Sequence, residues 1–125
     1  MRFMIVVKSA EGAGPPPMAL MTAIGKLGEE AMRAGAMVQM GGLLPSAMGA
    51  RVRLSAGKLA VTDGPFAESK ELIGGYAVYD VKSKQEAVEW ASRFMQLHKD
   101  HWPGWEGESE IRQIFEPPQP MQGKT

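Results

Sequence analysis

The sequence DGPFAESKELIGG, residues 63–75, separates two runs with the alternating pattern of β-strands. Asp63 and Gly64 predict a turn, because glycine tolerates a positive φ and an aspartate side chain can hydrogen-bond nearby backbone. Pro65 fixes its own φ, so the loop has few conformations open to it. Phe66 is expected to bury its ring in the core or against a partner chain.

Two interpretations of this loop stay open on chemistry alone. In the first, it is a structured turn in which Asp63 is a turn acceptor. In the second, it is a site loop, because loops on rigid scaffolds often carry function, and Asp63 is an acid, a base or a ligand-binding group. The polar residues Glu68, Lys70 and Glu71 lie in the same loop, and the two glycines at 74 and 75 predict a bulge or a close approach of another backbone.

Outward from the loop, the chain predicts the order strand, helix, strand, hairpin, strand, helix, strand. The predicted strands cover residues 3–7, 36–44, 51–55, 58–62, 73–81 and 108–116, and the first helix covers residues 18–34. A capping box, Ser83 to Glu86, opens the second helix, and Pro103 ends it.

This order predicts an α+β fold with both helices on one face of a mostly antiparallel sheet. It matches the split βαβ, ferredoxin-like arrangement with an inserted β-hairpin at residues 51–62. The opposite face of such a sheet needs a cover. Pairing of two copies is the simplest cover, so a homodimer is expected.

Composition narrows the class of protein. The 125 residues suit one domain, predicted at 1–116, and the Pro/Gln-rich residues 117–125 are predicted to be a disordered tail. Fourteen basic and fourteen acidic residues give no charge excess for nucleic acid or an anionic membrane. The absence of cysteine excludes disulfides and a cysteine nucleophile and agrees with a cytoplasmic protein. No apolar run has the length of a membrane span.

Both histidines lie in one cluster after the second helix. His98 and His101 lie three residues apart, so they share a helix face if the helix persists. They fit a helix cap, a His-Asp acid/base pair or, together with Asp100, Glu106 or Glu108, the ligands of a metal. No third ligand is defined and the zinc-protease spacing is absent, so no metal site is predicted. Trp102 and Trp105 flank a Pro-Gly turn and fit a pocket wall or a packed interface.

Other sequence motifs are missing. The chain has no phosphate-binding glycine loop, no nucleophile elbow and no dinucleotide fingerprint, so no cofactor is predicted. The sequence identifies no base partner for four serines: Ser9, Ser46, Ser55 and Ser69.

Residues 2–115 resemble the DGPF branch of the YCII-related family. The resemblance rests on Asp63-Gly64-Pro65-Phe66, the glycine pair at 74 and 75, the helix residues 89–90 and the chain end at 110–112. It implies a ferredoxin-like fold of the dimeric α/β-barrel type, in a family whose biochemical function is not established. A His and an Asp typical of the wider family suggest an enzyme there. Fusion to, or encoding near, sigma-70-type factors suggests a role in transcription initiation.

The chain departs from the family pattern at one residue. The family's histidine lies near the first helix, and residues 15–18 of this chain contain no histidine. Three hypotheses follow: a dimeric small-molecule-binding accessory or sensor, a small-molecule enzyme, and an interaction module for a sigma factor. The candidate catalytic residues are Asp63, His98, His101 and Lys70. The candidate ligand-binding residues are Asp63, Gly64, Pro65, Phe66, Glu68, Glu71, Gly74, Gly75 and Trp102.

Overall fold

The structure, a computed structural model, describes residues 1–66 and 72–117. Within these residues, six strands and two α-helices follow one another in the predicted order. They are β1 (Arg2–Ser9), α1 (Met18–Arg33), β2 (Met37–Gly42), β3 (Ala50–Ser55), β4 (Lys58–Asp63), β5 (Leu72–Asp80), α2 (Lys84–His101) and β6 (Glu108–Gln113), with a 3-10 helix at Ser46–Met48.

The main sheet has four strands in the order β2-β5-β1-β6. Every neighbouring pair is antiparallel, with Ile5 of β1 opposite Ala77 on one side and Ile111 on the other. The α+β class is confirmed, and the strand order is compatible with the ferredoxin-like fold.

The core lies between this sheet and the two helices. Phe3, Ile5 and Tyr79 project from the sheet into a cluster with alanines of α1 and α2, at positions 31, 87 and 91. Alanine occupies these helix positions because a small side chain lets a helix axis approach the sheet closely. The alternate residues of the central strands, such as Met4 and Val6, project from the face opposite the helices and are half-buried.

The helix ends agree with those predicted from the sequence, except for one hydrogen bond of the capping box. The Ser83 hydroxyl accepts a hydrogen bond from the Glu86 N–H at 3.1 Å, as a capping box requires. The Glu86 carboxylate, however, accepts from the backbone N–H of Lys82 rather than from Ser83, at 3.1 Å. Between the helices, Arg93 donates two hydrogen bonds of 2.7 Å to the Glu30 carboxylate.

The predicted hairpin is confirmed as a second, two-stranded sheet of β3 and β4. Ala56 and Gly57 have φ of 52° and 76°, the pair of positive values typical of a tight two-residue hairpin turn. One face of this hairpin carries four aliphatic side chains that are 68–73 % exposed, and we call it the hairpin face: Val52, Leu54, Leu59 and Val61.

The last strand ends earlier than the sequence predicts. Residues 108–116 were expected to be extended, but β6 ends at Gln113 and Phe115 is 81 % exposed. The physical reason is the partner strand: β1 begins at Arg2, whose carbonyl accepts from the Ile114 N–H at 2.8 Å, and it offers no further partner beyond that point. Most of the predicted tail, residues 118–125, lies outside the described residues.

Neither described helix has the length and apolar character needed to cross a membrane.

Candidate functional site

Four connections of the chain meet at one end of the main sheet, which we call the loop end. Strand register places Ser9 opposite Leu72, Gly42 opposite Gly75, and Lys8 opposite Glu108. The β1–α1, β2–β3, β4–β5 and α2–β6 connections therefore all leave or enter the sheet there. This arrangement brings the Asp63 loop and the end of α2 to the same end of the molecule.

The Ser46 side chain joins three of these connections, and we call this contact the Ser46 junction. Its hydroxyl donates to one Glu11 carboxylate oxygen at 2.9 Å, and its backbone N–H donates to the other at 2.6 Å. The Phe66 N–H in turn donates to the Ser46 hydroxyl oxygen at 3.3 Å. The serine that had no base partner in the sequence thus has a carboxylate partner in the structure.

Gly64 lies against the same segment so closely that no side chain fits. A Cβ at this position would overlap the Ser46 carbonyl oxygen. The Gly64 N–H donates to the Gly49 carbonyl at 2.9 Å, and the peptide bond to Pro65 is cis. The φ of Gly64 is not among the positive ones, so the reason predicted for this glycine is wrong: it allows a close approach and does not adopt a left-handed conformation.

Phe66 was expected in the core or against a partner chain, and the structure corrects the core placement. Its ring is half-buried, and the Arg51 guanidinium lies over it at 3.9 Å from the ring centroid. A cation over an aromatic face at this distance is attractive. This contact ties the DGPF motif to β3 in addition to the Ser46 junction.

Asp63 is exposed at the end of β4, opposite Ala50. Its carboxylate forms no hydrogen bond or ion pair with another residue in the described ranges 1–66 and 72–117. An exposed carboxylate can accept hydrogen bonds from a ligand or pair with a cation. The other polar candidates of this loop, Glu68, Lys70 and Glu71, lie outside the described residues.

The glycine pair at the start of β5 confirms the predicted bulge and close approach. The register between β1 and β5 shifts at Val7–Lys8, so that Gly74 has no partner across the ladder. A Cβ on Gly75 would lie 3.1 Å from the Gly41 carbonyl oxygen of β2. Gly75 therefore allows the close backbone approach, while Gly74 is the unpaired residue of the bulge.

An ion-pair network on the sheet face opposite the helices also reaches the loop end. Lys8, whose side chain is only 18 % exposed, donates to Glu110 at 2.7 Å and lies 3.6 Å from Glu108. Arg112 donates to Glu110 at 3.0 Å. The hydrogen bond from Lys8, followed by that from Arg112, lowers the pKa of Glu110 below its ordinary value.

His98 lies in an aromatic cluster rather than at a free surface. Its ring packs 4.7 Å from Phe94 and 4.4 Å from Trp105, with Trp102 at 6.5 Å. Its Nδ1 lies 3.0 Å from the Phe94 carbonyl, and since a carbonyl only accepts, Nδ1 donates. Burial lowers the pKa of this histidine, so the neutral form is favoured.

The aromatic cluster touches the loop end but not Asp63. A Cβ on Gly107 would lie 2.5 Å from the Trp105 ring and 2.7 Å from the Lys8 carbonyl. His101 is half-buried, and no described contact joins either histidine to Asp63. Among the described residues, no group of three or more His, Cys, Asp or Glu side chains is placed to hold a metal ion.

Sequence reasoning missed the residues that hold the site loop. Glu11 lies in a glycine- and proline-rich linker, Ser46 lies in a short turn, and Arg51 lies near the start of β3. None has a periodic pattern or a local motif that marks it. The Lys8–Glu110 ion pair could have been predicted from the sequence, because residues of opposite charge on neighbouring strands commonly pair.

The chain forms a small α+β domain in which the DGPF motif contacts the neighbouring loops through hydrogen bonds and packing. The Asp63 carboxylate of this motif is exposed. A family model for the YCII-related domain matches residues 1–102. The chain therefore belongs to the YCII-related family. An uncharacterized protein from Rhizobium meliloti (strain 1021) is 40 % identical over 60 residues, which is 48 % of each chain. The match thus spans about half the length of this relative.

Proposed function

We propose that the chain is a dimeric accessory or sensor domain that binds a small molecule at the loop end of its sheet. The observation that carries this proposal is the Asp63 carboxylate, exposed and without a partner among the described residues, on a loop held by the Ser46 junction. A loop fixed before binding loses little conformational entropy when a ligand arrives. Asp63 then supplies the polar contact that orients the ligand.

The hairpin face supports the dimer. An isolated two-stranded hairpin is only marginally stable in water, and its apolar side gains stability when another surface covers it. Val52, Leu54, Leu59 and Val61 are 68–73 % exposed in the single chain. A second copy that covers this face and the helix-free face of the main sheet gives the dimeric α/β-barrel arrangement that the resemblance implies.

Native mass spectrometry of the purified full chain tests both parts of the proposal. The sample is first incubated with a small-molecule extract of the expression host and then separated from unbound material. We expect a dimer that carries added mass, and the mass identifies the ligand. A monomer contradicts the dimer, and a dimer without added mass across several extracts contradicts the ligand-binding role.

Asp63→Asn tests the site itself. The substitution removes the charge and keeps the shape, so we expect the dimer to form and the added mass to be lost or strongly reduced. Glu89→Gln is the matched control, because Glu89 is an exposed acid on α2 away from the loop end. Equal ligand retention in both variants would remove Asp63 from the site.

The enzyme alternative uses Asp63 with His98, His101 or Lys70 as an acid/base pair. The bound Nδ1 and the aromatic packing of His98 weigh against that residue, while Lys70 lies outside the described residues. If the identified ligand is converted to a product and Asp63→Asn abolishes the conversion with the fold intact, the alternative replaces the sensor.

The proposed link to sigma-factor-dependent transcription rests on the resemblance alone. As an interaction module the chain would need an exposed patch, and Trp102 and Trp105 are half-buried against His98. The hairpin face is therefore the better candidate surface. Co-purification of a sigma factor with the wild-type chain, lost on Leu54→Asp, would support this module.

A further inference from the structure

A groove of about 340 Å³ runs between α2 and the edge strand β6, on the helix side of the sheet. Its size lies within the range of small-molecule sites. The floor is apolar and is made by Val88, Ala91, Met95 and Ile111. The α2 members recur at helical spacing, so they form one continuous stripe that faces the strand.

Four polar side chains also lie in the groove. Ser92, Gln96, Lys99 and Ser109 line it together with the apolar floor. The chain turns from the end of α2 into β6 within a few residues, so Ser109, near the start of β6, lies toward the Lys99 end of the stripe. The apolar side chains of Val88 and Ile111 lie toward the other end.

The Ser109 hydroxyl is buried and has no hydrogen-bond partner among the residues that the structure describes. Buried polar atoms in folded proteins nearly always have a partner, so the orphan hydroxyl of a residue that lines the groove points to a missing one. Lys99 is exposed and forms no ion pair with another described residue. Asp100, the acid next to it, is already bonded by the Gln96 amide at 2.9 Å.

We propose that this groove binds a small amphipathic carboxylate, with its apolar chain along α2 and its carboxylate between Lys99 and Ser109. An ammonium donates only, and a hydroxyl can donate, so the complementary group is an acceptor with negative charge. The apolar floor selects a chain of methylene or aromatic carbons in place of a small inorganic anion. This site is separate from the Asp63 loop and does not depend on the function proposed for that loop.

Octanoate is the probe, and octanol is its neutral control with the same chain length. Titration of the full-length chain with each, followed by amide chemical shifts in NMR, should move the signals of Ser109 and Ile111 with octanoate. Octanol, which lacks the charge, should bind about tenfold more weakly, since a charge-assisted hydrogen bond contributes about that factor.

Two variants assign the roles. Lys99→Met should weaken octanoate binding about tenfold and leave octanol binding unchanged. Ser109→Ala should weaken octanoate binding while the free energy of unfolding stays level or rises, because the hydroxyl loses no partner in the free protein. Lys84→Met is the matched control, since Lys84 lies at the start of α2 outside the groove.

The proposal is overturned if octanol binds as tightly as octanoate, or if Lys99→Met and Lys84→Met have equal effects. It is also overturned if octanoate up to its solubility limit moves no signal in the groove.

Discussion

At the scale of the residue, the Ser46 hydroxyl lies between Glu11 and the backbone of Phe66. These contacts join positions 35 and 20 residues apart in the chain. The sequence indicates the turn residues of the DGPF motif, because their effect is local. It does not indicate Glu11 and Ser46, because nothing local distinguishes a serine in a turn that contacts a distant loop from one that contacts water.

Gly64→Ala should destabilise the domain by about 1–3 kcal/mol, the usual cost of forcing extra atoms into a packed site. The added methyl overlaps the Ser46 carbonyl, which is backbone and cannot rotate away. Urea unfolding monitored by tryptophan fluorescence measures the change. Gly42→Ala is the control, because a Cβ there meets nothing within 4 Å, and equal midpoints for the two variants would contradict the packing role of Gly64.

Ser46→Ala removes the hydroxyl that the Phe66 N–H donates to and leaves the bond from the residue 46 N–H to Glu11 in place. We expect the global stability to fall by only about 1 kcal/mol and the Phe66 amide to exchange with solvent severalfold faster. Amide hydrogen exchange checks this locally, with Ser55→Ala at the hairpin turn as the control. Unchanged Phe66 protection would mean that the Ser46 junction does not hold the loop.

At the scale of the element, local patterns predicted every strand and helix, because side-chain periodicity is a short-range property. Boundaries were less accurate where a distant partner ends the element. β6 ends at Gln113 because its partner strand β1 begins at Arg2. The local pattern of residues 108–116 cannot indicate where that distant partner begins.

The hairpin face gives a prediction at this scale. Leu54→Asp together with Leu59→Asp places two charges on a cross-strand pair that the proposed dimer buries. We expect the double variant to run as a folded monomer in analytical ultracentrifugation, with wild-type far-UV circular dichroism. Arg53→Ser, on the opposite face of β3, should keep the dimer. A double variant that remains dimeric would place the dimer contact elsewhere.

At the scale of the whole molecule, unfolding stability should depend on pH through His98. Burial holds its folded pKa below the unfolded value of 6.5, so the unfolded state binds the proton first as pH falls. The contribution is fully present above about pH 7.5 and is lost as the pH falls through the unfolded and then the folded pKa.

Unfolding midpoints between about pH 7.5 and about pH 5.5 measure this dependence. His98→Phe, which keeps an aromatic ring in the cluster, should flatten the slope over that interval. His101→Gln should keep the wild-type slope. A slope that survives His98→Phe would assign the pH dependence to another group.

The Ser46 junction also bears on how relatives of this chain diverge. The Ser46 hydroxyl links three connections of the chain. A side chain at position 64 would overlap the backbone of residue 46. A change at position 46 therefore alters what positions 11, 64 and 66 must do, so substitutions at these sites should occur in concert across descendants. We therefore expect the three loops to vary together, although their residues are far apart in the sequence.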